Sequence, residues 1–526
     1  MVARHFKILF AAALISVVGV AAQAKDLIIG SRADPAIDPH YQWLSTNVAY
    51  SQHIFDSLVR KDAKAQWLPS LAVSWKAIDN LTWEMSLRKG VKFHDGSPFT
   101  ADDVLFSFDR LSKVPNNPNP YTANVRGVKS IEKIDDHTIR IHTAKPNPLM
   151  MGPISNFFIV SKKVSEGAST QDFRTGKAAI GTGPYKFVSY NPGSELVVAR
   201  NDDYWGEKEP WDKVRFKIIP NDQARVAALL GGDIDVIDFP PPTEVPAIEK
   251  NPNTVVFKSP SDRVIYLILD VGREDSPYVF AKDGSKIKNP MMDKRVRLAM
   301  SMAINRDAIV SRVMGGLAER QNQYIPKGFV GYNPDLPELE YNPEKAKKLL
   351  AEAGYPDGFA LTVHCSNNRY VNDAKLCEVV GQMLTRIGIA MKVETMPKNI
   401  FFPKIATYKK VHFSLILIGW GNSSTGTAGP FLTSIFHTPD KKRRMGHANR
   451  AHYDDPAYDK MGEDAVQELD PEVRAKKMRD AMAYIVDKMV GIPMHTQYVI
   501  IGTRKGLVAT PRVDENTIAM AIRPAK

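Results

Sequence analysis

Alternation of apolar and polar positions gives the chain a strand-rich first half and a second half in which strands and helices take turns. Asp26 to Gly30, Leu81 to Leu87, Ile139 to Thr143, Tyr185 to Tyr190 and Glu195 to Arg200 alternate or carry β-branched residues, as strands do. Asn191-Pro192-Gly193-Ser194 is turn chemistry, so the last two strands predict a hairpin. Thr100 and Asp103 have capping-box spacing. Val104, Leu105, Phe108 and Leu111 follow at helical intervals, which predicts a helix with one face turned inward. After Trp211 a βαβ-sized unit is expected: Val214 to Ile219, a helix from Ala224 to Leu230 behind a cap at Asp222, and Asp235 to Phe239.

In the second half Val296, Ala299, Met300, Ala303 and Ile304 form an apolar stripe, and Asn342-Pro343 opens a helix that Gly354 closes. The methionines keep helical spacing with no ligand set beside them, so these are core faces. Phe359 to Cys365, Ile389 to Glu394 and Val411 to Ile418 read as strands, with helices from Asp373 to Ile387 and Ile400 to Tyr408 between them. That order implies parallel strands joined by right-handed crossovers. Ligands of open α/β sheets bind beyond the carboxyl ends of such strands. Two loops are expected there: Asn367, Asn368, Arg369 and Tyr370 in one, Gly419, Trp420, Gly421, Asn422 and Ser423 in the other. Arginine grips a carboxylate or phosphate through two parallel N–H bonds, and tryptophan supplies a broad apolar wall with one donor. Together they predict a solute pocket; the plainer reading is that they close the sheet edge.

The N-terminus follows a different pattern. Arg4 and Lys7 precede an apolar run from Ile8 to Val20, and Ala22-Gln23-Ala24 ends it with small residues, which predicts a signal peptide cleaved after Ala24. A membrane-spanning helix needs about 20 apolar residues, more than this run holds. No cysteine lies nearby to carry a lipid, so the mature chain is expected to diffuse freely. Cleavage removes two cations and no acid and lowers the formal charge from +12 to +10. The densest basic cluster, Lys441-Lys442-Arg443-Arg444, has no interleaved aromatics, which argues for a solvated loop and against nucleic-acid binding. The chain is 526 residues long, more than one core accommodates, so at least two lobes are expected. Cys365 and Cys377 are the two cysteines; an exported compartment allows them to pair, and two buried thiols are the alternative.

Catalytic motifs are missing. The chain has no G-x-S-x-G elbow and no H-E-x-x-H, and Ser423 is tied by motif to no histidine or acid. His94-Asp95 looks like a dyad, but Asp95-Gly96 marks a turn. His437, His447 and His452 are irregularly spaced, so no metal is expected. Gly181-Thr182-Gly183 lacks the lysine of a phosphate loop, so no nucleotide or other cofactor is expected.

The run from Leu87 through Arg88-Lys89-Gly90-Val91-Lys92-Phe93-His94-Asp95-Gly96-Ser97-Pro98-Phe99-Thr100 to Val104 resembles the signature of the family 5 extracellular solute-binding proteins of ABC importers. Gly181 to Tyr185, Arg200 to Trp205, Arg295 to Ala299, Ala303 to Arg306 and Ala346 to Gly354 extend the resemblance along the mature chain. It implies an α/β, two-lobed periplasmic binding protein-like fold of mixed sheets, with a hinge between the lobes and a subdomain inserted in the first. Residues 1–24 would be the signal peptide. Residues 25–268 with 493–526 would form lobe I, about 70–180 of them the inserted subdomain, and residues 269–492 would form lobe II. It further implies a monomer in the periplasm that captures a peptide or peptide-like solute and delivers it to the permease and ATPase subunits of a transporter. Similar peptide binders place an aspartate after the Gly-Trp pair to hold the ligand's ammonium. Here Asn422 or Ser423 stands near that place, which keeps an anionic sugar or opine-type conjugate open as cargo; an exported hydrolase is the remote alternative. By the same resemblance Arg369 and Tyr370 face the ligand's acidic end, and Tyr41, Trp43 and Ser45 form the opposite wall.

Overall fold

The computed structural model describes residues 26–118, 120–123, 125, 127–405, 412–422, 425–443 and 445–525. The expected signal peptide, Ser423, Arg444 and the segment 406–411 lie outside these residues. A single 12-stranded sheet runs through the molecule. Its first part is the hairpin Tyr185–Asn191 and Glu195–Arg200, then Lys213–Ile218, Asp26–Ser31 and Val236–Asp238. Its second part is Leu415–Gly421 and Ala360–Ser366, with Ala390–Met396 parallel to Ala360–Ser366.

Two long antiparallel strands, Thr254–Leu269 of 16 residues and Gly491–Arg504 of 14, join the parts. Their pairing slips between Pro260 and Val264, where Pro260 faces Tyr498 and Val264 faces Thr496. That slip divides the apolar interior. On one side of it Phe257, Val499 and Ile501 join one apolar cluster; on the other Val264 to Leu269, Ile492 and Met494 join another. A separate antiparallel sheet, Ala72–Ala77, Thr82–Leu87, Thr138–Thr143 and Val128–Asp135, carries a third core. Leu149 reaches from this region into the second lobe's core.

Local chemistry explains most element boundaries. The helix Ala101–Arg110 opens as expected, with the Thr100 backbone N–H donating to the Asp103 carboxylate at 2.9 Å. Asn342 caps Pro343–Glu352 by accepting from the Lys345 N–H at 3.0 Å. The cap of Asp222–Gly231 is Asn221, not Asp222: its side chain accepts from the Ala224 N–H at 2.8 Å, so Asp222 enters the first turn. Ala360–Ser366 is parallel to both Ala390–Met396 and Leu415–Gly421, as the alternating pattern implies.

Candidate functional site

Trp420 sits in a strand, not in the expected loop. Leu415–Gly421 stays paired with Thr254–Leu269 to its end, with Gly421 opposite Arg263. Two glycines permit this. A Cβ at Gly419 would stand 2.6 Å from Ile265 and 2.9 Å from the Tyr370 ring, and one at Gly421 would stand 2.8 Å from the Asp262 carboxylate. Trp420, Val264 and Thr496 form one cross-strand row, so their side chains share a face, and the Gly419 side holds Tyr370. The Trp420 ring lies 6.4 Å from that of His447.

The Trp420 face carries unsatisfied polarity. Trp420 Nε1, Thr496 Oγ1 and both amide atoms of Asn422 are buried without a hydrogen-bond partner among the described residues. Asn422 is 0% exposed, and its backbone carbonyl accepts from the Thr425 and Gly426 N–H groups at 3.3 and 3.1 Å. A buried polar group with no partner costs about 1–3 kcal/mol, which a bound solute's own donors and acceptors would recover.

The other loop is held rigidly from behind. Asp373 Oδ2 accepts from Ser366 Oγ at 2.7 Å, from the Arg369 N–H at 3.0 Å and from the Tyr370 N–H at 3.2 Å. Cys365 and Cys377 form a disulfide across this loop, with Cα atoms 6.4 Å apart. Tyr370 donates its hydroxyl to the Gly419 carbonyl at 3.3 Å, and the Arg369 guanidinium lies 5.0 Å from the Tyr370 ring centre. No carboxylate pairs with the Arg369 guanidinium among the described residues. Burial lowers its pKa and the charge of Arg263 lowers it further, while Tyr370 and Glu515 oppose the fall.

At the slip between the lobes, Arg263 and Glu515 form a buried pair with contacts of 2.7 to 3.2 Å. Gln497 Nε2 also donates to Glu515, at 2.6 Å. Burial alone would raise the Glu515 pKa, but the Arg263 guanidinium holds it well below the usual carboxylate range. His495, on the same strand, is fully buried; burial pushes its pKa down to about 4, so the ring is neutral. Thr496, Arg263 and Glu515 carry no sequence motif; strand pairing places the first two, and side-chain bonds to Arg263 and Gln497 place Glu515.

In the first lobe, Arg110 grips Asp38 through contacts of 2.9 and 2.6 Å and donates to His40 Nδ1 at 3.0 Å. This fixes the turn before Tyr41, which is half-buried and donates its backbone N–H to the Asp38 carbonyl at 3.1 Å. Trp43 packs against Tyr121 with ring centres 5.6 Å apart and bridges the first-lobe and subdomain cores. Ser45 begins the helix Ser45–Ile54.

Three further histidines singled out in the sequence have structural partners. His94 accepts the Gly181 N–H at Nδ1, 3.3 Å, and donates from Nε2 to the Gly183 carbonyl, 3.0 Å, while Asp95 caps Ser97. His437 contacts Glu463 at 3.0 Å, and His452 contacts Asp270 at 3.1 Å.

The sequence profile of the bacterial extracellular solute-binding proteins, family 5, matches residues 66–443. The heme-binding protein A of Haemophilus influenzae is 28% identical over 477 residues, covering 85% of this chain and 82% of the relative. The dipeptide-binding protein of Escherichia coli is 28% identical, with 80% of each chain covered. The periplasmic binding protein DppA of Helicobacter pylori, solved with the peptide STSA, superposes with a TM-score of 0.76 at 25% identity, covering 96% of this chain and 98% of its own. The profile spans most of the chain, and the superposition covers nearly all of both chains: the protein belongs to the family 5 bacterial extracellular solute-binding proteins.

Proposed function

We propose that this protein is the periplasmic substrate-binding component of an ABC import system, without enzymatic activity. It captures a peptide or peptide-like solute between its lobes and presents it to the membrane permease with its ATPase subunits. The buried, unbonded amide of Asn422, beside Trp420 and Thr496 at the carboxyl end of a strand, carries the reading. Such a site needs a solute's own polar groups to become satisfied. Similarity to proteins named for dipeptides and for heme supports a solute-binding role.

In this reading residues 1–24 are cleaved on export and the mature chain works as a monomer. Lobe I comprises residues 25–268 and 493–526, with about 70–180 as its subdomain, and lobe II comprises residues 269–492. Trp420 and Asn422, followed by Ser423, would line one face of the strand end, Arg369 and Tyr370 its Gly419 side, and Tyr41, Trp43 and Ser45 the opposing wall. A solute touching both walls favours the closed state by its differential affinity.

Native mass spectrometry of the protein purified from the periplasm tests the role, with thermal-shift titration by the chemical class of the solute found. Trp420→Ala and Arg369→Ala are each expected to weaken binding about tenfold or more while the protein stays folded. Unchanged affinity in both places the pocket elsewhere. Turnover of esters or peptides that Ser423→Ala abolishes would replace the reading with an exported hydrolase.

A further inference from the structure

Among the described residues, one side chain of the subdomain region joins the second lobe's core. Leu149 is buried there with Phe431, Leu432 and Met478, while its chain neighbours Met150 and Met151 belong to the subdomain's own core. The chain before it is stiff. Lys145-Pro146-Asn147-Pro148 carries two prolines, which restrict the backbone on either side of Asn147. The turn is then closed by the Met150 N–H on the Asn147 carbonyl at 3.3 Å and the Gly152 N–H on the Leu149 carbonyl at 3.1 Å. Leu149 is therefore presented as a knob whose position costs little further ordering.

The socket is shared by three helices of the second lobe. Gly429 opens Gly429–Ser434, Val466 lies in Pro456–Gln467 and Met478 in Pro471–Lys488. A Cβ at Gly429 would stand 2.7 Å from Leu149 Cδ1, 3.1 Å from Val466 Cγ1 and 3.3 Å from Met478 Cε, so the side chain that Gly429 lacks is the space Leu149 fills. Beside the knob a groove of about 340 Å³ stays open, between Ile78, Trp83 and Pro148 on the subdomain and Leu469, Pro471 and Arg474 on the second lobe. The seam can part here without splitting a continuous core.

A second touch falls on the same stretch of the second lobe. Ala65, at the tip of the hairpin Val59–Lys61 and Trp67–Pro69, is 4% exposed, and its carbonyl oxygen would lie 3.6 Å from a Cβ at Gly426. Asp62 fixes that tip by accepting from the Lys64 and Gln66 N–H groups, both at 2.8 Å. Gly426 in turn donates its N–H to the Asn422 carbonyl at 3.1 Å. One short stretch of chain thus holds Asn422 of the candidate solute site and both glycines that the first lobe touches.

We propose that Leu149 is a closure latch: it seats between Gly429, Val466 and Met478 when the lobes close, leaves when they open, and so keeps part of the solute-free protein closed. The inference goes beyond solute capture and rests only on the two-lobe reading. Both apolar surfaces belong to the protein, so burying the leucine favours the closed state with or without a solute. A solute then completes closure with less differential affinity of its own.

Small-angle scattering of the solute-free mature protein reads the balance of closed and open forms. The native protein is expected to show both, and Leu149→Ala to lower the closed-to-open ratio about tenfold or more. Gly429→Ala is expected to do the same from the other lobe, since its methyl group occupies the socket. The two substitutions together are expected to lower the ratio by less than the product of their separate effects, because the shortened knob leaves room for the methyl. Leu149→Met keeps the volume and is expected to stay near the native ratio, which guards against a general fault in the loop. A native protein that scatters as the open form alone would overturn the proposal. So would Leu149→Ala and Gly429→Ala variants that keep the native ratio and only melt earlier, since Leu149 would then be a fixed structural contact. No solute enters the measurement, so a failure of the solute-binding reading leaves its outcome legible.

Discussion

At Asn422 stability and binding pull in opposite directions. A fully buried amide with neither atom bonded is a liability in the solute-free protein. Asn422→Leu is therefore expected to raise the solute-free melting temperature, by the equivalent of about 1–2 kcal/mol, while weakening solute binding about tenfold or more. Differential scanning calorimetry and titration calorimetry on the same preparation check both signs. A variant that loses stability and binding together would make Asn422 a structural residue. Arg263 behaves in the opposite way. Its charge is buried against Glu515, and Arg263→Met strands that carboxylate, so a loss of about 3–5 kcal/mol is expected in urea unfolding. The paired change Arg263→Met with Glu515→Leu should restore most of it. Trp420 and Arg369 could be singled out from the sequence because their residue types advertise chemistry. Thr496 and Glu515 could not, since a threonine and a glutamate are everywhere and only the cross-strand neighbour of one and the side-chain partners of the other give them meaning.

Elements whose ends are set by local chemistry were legible. The capping box at Thr100, the Asn342-Pro343 start and the turn at 191–194 all depend on contacts within a few residues, and the structure reproduces them. The two long strands were not legible as one unit. Their pairing joins residues more than two hundred positions apart, and the slip at Pro260 arises from that pairing, not from either sequence alone. Trp420 shows the same limit, because the strand reaches Gly421 only where Arg263 stands ready to pair with it. The disulfide loop offers a test at this scale. Cys365 and Cys377 are 12 positions apart, and closing a loop of that size stabilises by about 3 kcal/mol in the chain-entropy model. Replacing both by serine is expected to lower stability by about 2–3 kcal/mol in guanidinium unfolding and to weaken solute binding through the loosened Arg369 loop. If affinity is unchanged, the Asp373 hydrogen bonds alone set the loop.

Across the whole molecule, acid acts through groups that are buried in a fixed protonation state. His40, His53 and His495 are fully buried with pKa values near 4, mainly through burial, while unfolded histidines titrate near 6.5. Folded values below unfolded ones mean that stability is fully present above about pH 6.5 and declines as pH falls toward 4, because the unfolded chain binds more protons. Glu515, depressed by Arg263, adds a second decline of the same sign below the ordinary carboxylate range. Urea midpoints measured from pH 7 to 3 are expected to fall in two stages, the first weakened by His495→Gln and the second by Glu515→Gln. A midpoint independent of pH between 7 and 4 would contradict neutral buried histidines.

The sheet that passes from one lobe to the other also dictates when the chain can fold. Val236–Asp238 pairs with Ile501 to Thr503, and the start of Thr254–Leu269 pairs with Tyr498 to Arg504, so the first lobe's sheet is completed only by residues near the C-terminus. A chain emerging from the ribosome holds an unfinished edge until almost all of it has been made. The strand Gly491–Arg504 is thus the one that locks both parts into a single sheet.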